Sequence, residues 1–290
     1  MKLPKFDYER PASLQDAVSL LAREDSKVLA GGQSLLPMMA YRLAAPSLLV
    51  DIRNIPEISD VRFGEKSISI GSCVRWRDIL MNAELRARHP LIVEAVTHVA
   101  HYQIRNRGTI GGSLAHADPA AEMPAVALCC EATVRIFGRQ GWREIPIEEF
   151  LIGPLATSLE PDEILVEINF PNWNQRRKYS FSEFARRKGD FALAGICVTL
   201  DFGEATLVKQ ARVVCFGASE QQVRLSETEA FLETIKLTAD ACREAGRIAQ
   251  SEVQAATDIH SSAEYRKSLC GTLLRRGLTE IMTDGCGNAN

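Results

Sequence analysis

Two segments pair glycines with small hydroxyl residues: Ala30-Gly31-Gly32-Gln33-Ser34-Leu35-Leu36-Pro37 and Thr109-Ile110-Gly111-Gly112-Ser113. Paired glycines admit positive φ and place no Cβ between the backbone and a ligand. Successive N–H groups can then converge into a concave anion site, and Ser34, Thr109 and Ser113 add hydroxyl donors. Two such turns from distant parts of the chain would clamp a pyrophosphate without lysine or arginine. A cofactor carrying its own diphosphate is the natural ligand. Taken alone, either glycine pair also reads as an ordinary tight turn. Neither matches GxGxxG or GxxxxGK[ST], so neither a Rossmann fingerprint nor a P-loop is supported.

The rest of the composition excludes other chemistry. Lysine plus arginine is 34 and aspartate plus glutamate 37, for a net charge of −3, so no global basic field exists to hold nucleic acid. No apolar run approaches the roughly 20 residues that a membrane helix needs. The N-terminal stretch MKLPKFDYERPASL lacks an apolar signal core, and a cytoplasmic, reducing setting is expected. The 8 cysteines form no CxxC pair and show no zinc-like or ferredoxin-like spacing. They read as buried or incidental thiols. The five histidines are scattered, with no HxH or HExxH motif.

The elements that must position these turns read as mixed α and β. Ser13 looks like a helix N-cap, with Leu14, Ala17, Val18 and Leu21 on one face. Residues 27–30 and 47–51 read as strands, the first running straight into Gly31. Residues 67–70 alternate like a half-buried strand, as do Ile164, Val166, Ile168 and Phe170. Residues 90–103 read as one helix, with Ile104 near its apolar stripe. Asp118-Pro119 looks like a helix opening. Residues 134–137 and 142–145 flank a glycine-bounded turn and form a hairpin. The polar, basic stretch 171–178 marks a domain boundary. Beyond it, strands near 193–202 and 208–218 precede helices near 227–235, 238–250 and 262–282, an α+β arrangement. Residues 284–290 read as a flexible tail.

At the segments AGGQSLLPMMAYRLAAPSLLVDI (30–52), QIRNRGTIGGSLAHADPAAEMPA (103–125) and FARRKGDFALAG (184–195) the chain resembles the FAD-binding medium subunit of molybdenum hydroxylases, the carbon monoxide dehydrogenase and xanthine dehydrogenase type. The resemblance covers nearly the whole chain. It implies an α+β fold: a two-part FAD-binding domain of the vanillyl-alcohol oxidase (PCMH) type over 1–175, split near 55–60. A smaller α+β C-terminal domain follows over 176–283. It also implies non-covalent FAD. The residues it places at the cofactor are Lys27, Val28, Leu29, Ala30, Gly31, Gly32, Gln33 and Ser34 on one side of the pyrophosphate, and Thr109, Ile110, Gly111, Gly112 and Ser113 on the other. Asp118 and Glu122 lie in the same ligand-lined stretch, where the family usually has aspartate at the second position. Ile164 would touch the cofactor through its backbone, and Phe191 would shield one face of the isoalloxazine. Ser182 and Glu183 fall where some relatives carry a lysine near the flavin.

The resemblance implies an electron-transfer component with no catalytic acid–base residues and no metal of its own. A large partner subunit would hold the molybdenum cofactor and a small one two [2Fe-2S] clusters, in a dimer of heterotrimers. FAD would pass the electrons to a terminal acceptor such as NAD⁺, a quinone or dioxygen. A stand-alone flavin oxidoreductase of the same superfamily, and a scaffold that has lost flavin, are the rival readings. Asp118 also reads as only a helix cap, and Phe191 as a plain core residue. Arg186-Arg187-Lys188 reads as a solvated or interface patch, and Trp76 and Trp142 as core or interface residues. Valine at Gly32 or Gly111 is expected to abolish FAD retention while leaving much of the fold.

Overall fold

Ser13 starts the first helix as its spacing predicts. Its hydroxyl accepts the Asp16 N–H at 3.1 Å, and Leu14, Ala17, Val18 and Leu21 form the buried face of the helix Leu14–Leu21. A computed structural model describes residues 2–174, 176–203, 207–233 and 235–286. Contacts divide the chain into two interleaved units. The first comprises Met1–Asn82, His101–Ala117 and Glu131–Asn172, and the second Ala83–Ala100, Asp118–Cys130 and Trp173–Asn290.

The first unit holds two main sheets. Asp7–Glu9 and Ser26–Leu29 flank Leu48–Asp51, all parallel. The central strand is buried along its whole length, which its unbroken Leu-Leu-Val run suits. The other sheet runs Val61–Phe63, Ser67–Gly71, Ile164–Pro171, Thr133–Gly138, Gly141–Pro146, antiparallel throughout. The expected hairpin is present, with Gly138 paired to Gly141. Trp142 lies half exposed on it, under the Arg135 guanidinium at 4.0 Å from the ring centroid. Trp76 is buried.

The second unit is built on an antiparallel sheet, Arg177–Phe184, Ala194–Phe202, Val208–Phe216, Val223–Arg224. Ile196, Val198, Leu200, Val213 and Cys215 form one core with Cys242, Ala245 and Ala249 of the helix Ala239–Glu252 and with Leu274 and Leu278 of the helix Ala263–Cys286. The helices Pro90–His98 and Glu122–Cys129 also pack on strands of this sheet. Cys129 Sγ lies 3.6 Å from the Arg212 carbonyl. Burial on both faces explains why Ala194–Phe202 reads as a continuous apolar run rather than an alternating one.

Three expectations change. The helix expected over 90–103 stops at His98. Val99 leaves the helical region (φ −57°, ψ 108°) and Ala100 takes φ +39° where the chain passes from one unit to the other, and a separate short helix follows at Tyr102–Arg105. Asp118 does not cap a helix. Its Oδ1 accepts the Ala120 N–H at 2.8 Å in a turn, and the helix begins at Glu122 with Ala121 at its cap. The final helix continues to Cys286, through part of the expected tail; residues 287–290 lie outside the described ones.

Candidate functional site

The first glycine turn leaves the strand Ser26–Leu29 and enters the short helix Leu35–Ala40. Val28 and Ala30 pack against the cluster of Leu14, Val18 and Val50, and Leu29 is buried with Met39 and Leu49. These three residues therefore offer a ligand only their backbone, while the Lys27 side chain is exposed. Gly32 takes φ +70°, where other residues are strained. Gln33 Nε2 donates to the Gly31 carbonyl at 3.0 Å and holds the turn closed. The N–H groups of Gly32, Gln33 and Ser34 have no acceptor among the described residues, and the Ser34 hydroxyl makes no cap bond.

The second turn begins the helix Ile110–His116. Thr109 is its N-cap, and its Oγ1 accepts the Gly112 N–H at 3.2 Å. Ile110 N–H donates to the Val74 carbonyl at 3.0 Å, Gly111 N–H to the Ser72 carbonyl at 2.9 Å, and Trp76 N–H to the Gly108 carbonyl at 3.1 Å. Three backbone bonds thus pin the turn to residues 72–76. Ile110 is fully buried and Ser113 half-buried. Ile164 is buried too, paired with Phe137, so it can reach a ligand only through its backbone.

The two turns meet, and their glycines serve different ends. A Cβ on Gly31 would stand 2.3 Å from the Arg107 carbonyl oxygen. One on Gly111 would stand 2.3 Å from Ser72 Cβ and 2.7 Å from its Cα. Both are therefore close-approach points of the chain with itself. This corrects the expectation that valine at Gly111 spares the fold. Gly112 differs: its Cβ would meet only Thr109 Oγ1, at 2.8 Å. The donor set fits a diphosphate. Three successive unpartnered N–H groups lie on one turn, and on the adjoining one a helix start carries a position that any larger side chain would fill.

Sequence reasoning missed the groups that frame these turns. Asp51, wholly buried, accepts bonds from Arg53 Nε at 2.8 Å and Arg53 Nη2 at 2.5 Å and from the Tyr8 hydroxyl. Burial alone would raise its carboxyl, but the Arg53 and Tyr8 bonds outweigh that and hold it at about 2. Arg53, Arg75 and Arg107 line one cavity of about 270 Å³. Arg107 stands inside the motif around the second turn, which was the available signal. Arg53 and Arg75 had none.

The second unit carries the other expected residues. Asp118 shapes the turn described above, and its carbonyl accepts Gln222 Nε2 at 2.7 Å. Glu122 is pushed up to about 8 by burial, and the nearby Glu183 and Asp118 charges add to the rise. Glu183 is nearly buried; one carboxylate oxygen lies 3.4 Å from His98 Nδ1, and the other has no partner among the described residues. Ser182 sits half-buried in the strand Arg177–Phe184. Phe191 is 72% exposed, which overturns its reading as a core residue. Arg186, Arg187 and Lys188 are exposed as expected.

A carboxyl whose folded value lies above its ordinary 4.5 binds more protons folded than unfolded, so stability falls as pH rises from about 4.5 through about 8. Glu122→Gln is therefore expected to remove part of the decline in melting temperature between pH 5 and pH 9. An unchanged pH profile in the variant would show that Glu122 titrates normally.

Residues 4–173 match the model of the FAD binding domain in molybdopterin dehydrogenase, and residues 179–281 match the carbon monoxide dehydrogenase flavoprotein C-terminal domain. The chain therefore belongs to the family of FAD-binding medium subunits of molybdenum hydroxylases and is an FAD-dependent oxidoreductase component. It is 37% identical to the 6-hydroxypseudooxynicotine dehydrogenase complex subunit alpha of Paenarthrobacter nicotinovorans, covering 97% of this chain and 96% of that one. It is 38% identical to the nicotine 6-hydroxylase medium subunit of the same organism, covering 97% and 98%. Among solved structures, a carbon monoxide dehydrogenase from Hydrogenophaga pseudoflava superposes with a TM-score of 0.94 at 34% identity, covering 98% of this chain and 99% of that one. Among the described residues no helix is long and apolar enough to cross a membrane.

Proposed function

We propose that this chain is the FAD-carrying electron-transfer subunit of a heterotrimeric molybdenum hydroxylase. It takes electrons from the [2Fe-2S] clusters of a small partner subunit and passes them to a terminal acceptor. A large partner subunit holds the molybdenum cofactor and the oxidised substrate, and the assembly is a cytoplasmic dimer of heterotrimers. The observation that carries the reading is a glycine turn with three unpartnered N–H groups, at 32–34, packed against Arg107 and Gly108, which lead into the second glycine turn. Bound FAD supplies redox chemistry that joins one-electron and two-electron carriers. The residues of this chain bind and orient it. The backbone of 27–34 and 109–113 holds the diphosphate, with Ser34 and Ser113 as hydroxyl donors and Ile164 contributing through its backbone. Asp118, Glu122 and Phe191 are further proposed cofactor residues, on the strength of the resemblance. The domain limits proposed from sequence are 1–175 and 176–283.

Isolation of the chain from its source with its co-purifying proteins tests this. Flavin, molybdenum and iron are expected in one complex, with the flavin on this chain. A flavin-containing chain that turns over an organic donor with no metal-bearing partner would point instead to a stand-alone oxidoreductase. A chain free of flavin in every preparation would refute both.

A further inference from the structure

The cavity lined by Arg53, Arg75 and Arg107 is not explained by folding. Arg53 is neutralised by Asp51, which Arg10 also approaches at 3.8 Å. Arg75 and Arg107 are exposed, and neither has an ion-pair partner among the described residues. The Arg75 and Arg107 guanidinium groups therefore face the same space with no carboxylate of their own, and their mutual repulsion is relieved when an anion enters. The arrangement also has an address. The Arg107 carbonyl oxygen abuts Gly31, at 2.3 Å from where its Cβ would be. Arg75 is bridged by backbone to Thr109, the cap of the second turn. Arg53 follows Ile52, whose N–H donates to the Leu29 carbonyl at 3.1 Å, just before the first turn. The three arginines thus come from the strands and loops that frame both glycine turns.

The geometry points to a phosphate-binding cavity at Arg53, Arg75 and Arg107, which takes a phosphoryl group in a fork of guanidinium donors. Planar guanidinium groups suit phosphate oxygens, since each offers two parallel N–H bonds to a tetrahedral anion. Asp51 has a positioning role: it holds Arg53 by two bonds so that the group enters the cavity without rotamer loss. Two sources share this chemistry. One is the diphosphate of the flavin dinucleotide, and in that form the inference rests on the proposed function above. The other is a separate soluble phosphate ligand that binds beside the loaded cofactor.

The test uses the full chain with Arg75→Met and Arg107→Met, chosen because neither side chain is buried or paired. Thermal melting of each variant verifies that the fold persists. The flavin-free chain is titrated with FAD, and with inorganic pyrophosphate as competitor. The FAD-loaded chain is then titrated with pyrophosphate alone. Loss of about tenfold to a hundredfold in FAD affinity in each variant, the scale of one charge-assisted hydrogen bond, with weaker salt dependence, supports the cavity with the cofactor as its source. Unchanged FAD affinity, together with pyrophosphate binding to the loaded wild type that both variants lose, supports it with a separate ligand. If both variants match the wild type in FAD affinity, salt dependence and pyrophosphate binding, the cavity is no phosphate site. A wild-type chain that binds no FAD overturns the proposed function instead, and pyrophosphate binding by that chain still decides the cavity.

Discussion

Leucine in place of Gly112 is expected to cost the chain at least a hundredfold in FAD affinity while its melting temperature moves by only a few degrees. The Cβ position of Gly112 meets nothing but Thr109 Oγ1, at 2.8 Å, and that hydroxyl can rotate away. The price in stability is the lost cap bond from Gly112 N–H, of the order of 1 kcal/mol, partly offset by the better helix propensity of leucine. The added side chain stands at the start of the helix Ile110–His116, where the second turn is proposed to face the diphosphate. Flavin fluorescence titration and thermal melting on the same preparation check both halves. Valine at Gly111 is expected to behave in the opposite way. Its Cβ would stand 2.7 Å from Ser72 Cα and 2.8 Å from the Ser72 carbonyl oxygen, and the helix start is bonded to that same carbonyl. Such overpacking costs about 3 kcal/mol or more, roughly 6–12 °C at this chain length. A Gly111→Val protein with wild-type melting and no flavin would reverse the roles assigned to the two glycines.

The second large effect belongs to Asp51. Methionine at Arg53 removes two of its hydrogen bonds and leaves a wholly buried carboxylate with the backbone N–H of residue 53 at 3.1 Å, the Tyr8 hydroxyl and the exposed Arg10 at 3.8 Å. Breaking a buried ion pair in this way costs about 3–5 kcal/mol. The sign with pH follows from the wild-type value of about 2, below the ordinary 3.8. The wild-type carboxylate contributes stability above pH 3.8 that is lost as pH falls toward 2. In the variant, burial is no longer outweighed and Asp51 accepts a proton more readily. The gap between Arg53→Met and wild type is therefore expected to be widest near pH 7 and to narrow below pH 4. Adding Asp51→Asn to Arg53→Met should recover part of the loss, since no charge is then left buried. Denaturant melts of the three proteins at pH 7 and pH 4 provide the measurement, and a constant gap would remove Asp51 as the cause.

Much of this arrangement is legible in the amino-acid sequence. Ser13 and the spacing of Leu14, Ala17, Val18 and Leu21 specify a capped amphipathic helix through contacts one turn apart. The hairpin around residues 138–141 is equally local. Glycine pairs beside hydroxyl residues mark phosphate-type turns because backbone exposure is a property of the residue itself. What failed depended on contacts far along the chain. The segment 90–103 has a helical pattern throughout, yet Ala100 adopts φ +39° because the chain must leave one unit for the other there. Asp118 has the residue type of a helix cap, but Gln222, 104 positions away, binds its carbonyl and the helix starts four residues later at Glu122. Phe191 is apolar, but its loop leaves it exposed.

The amino-acid sequence by itself determined the class of elements, the two glycine turns and the family that those turns and their flanking motifs define. Each is written in residues that are neighbours along the chain or that repeat a known spacing. Only the tertiary structure decided that Gly31 and Gly111 are glycines because Arg107 and Ser72 press on them, and that at Gly112 only the Thr109 hydroxyl stands in the way. It alone gathered Arg53, Arg75 and Arg107 around one cavity beside both turns. Charge and steric contact act through space at a few ångströms, and three arginines from three loops carry no mark of their meeting until the chain has folded.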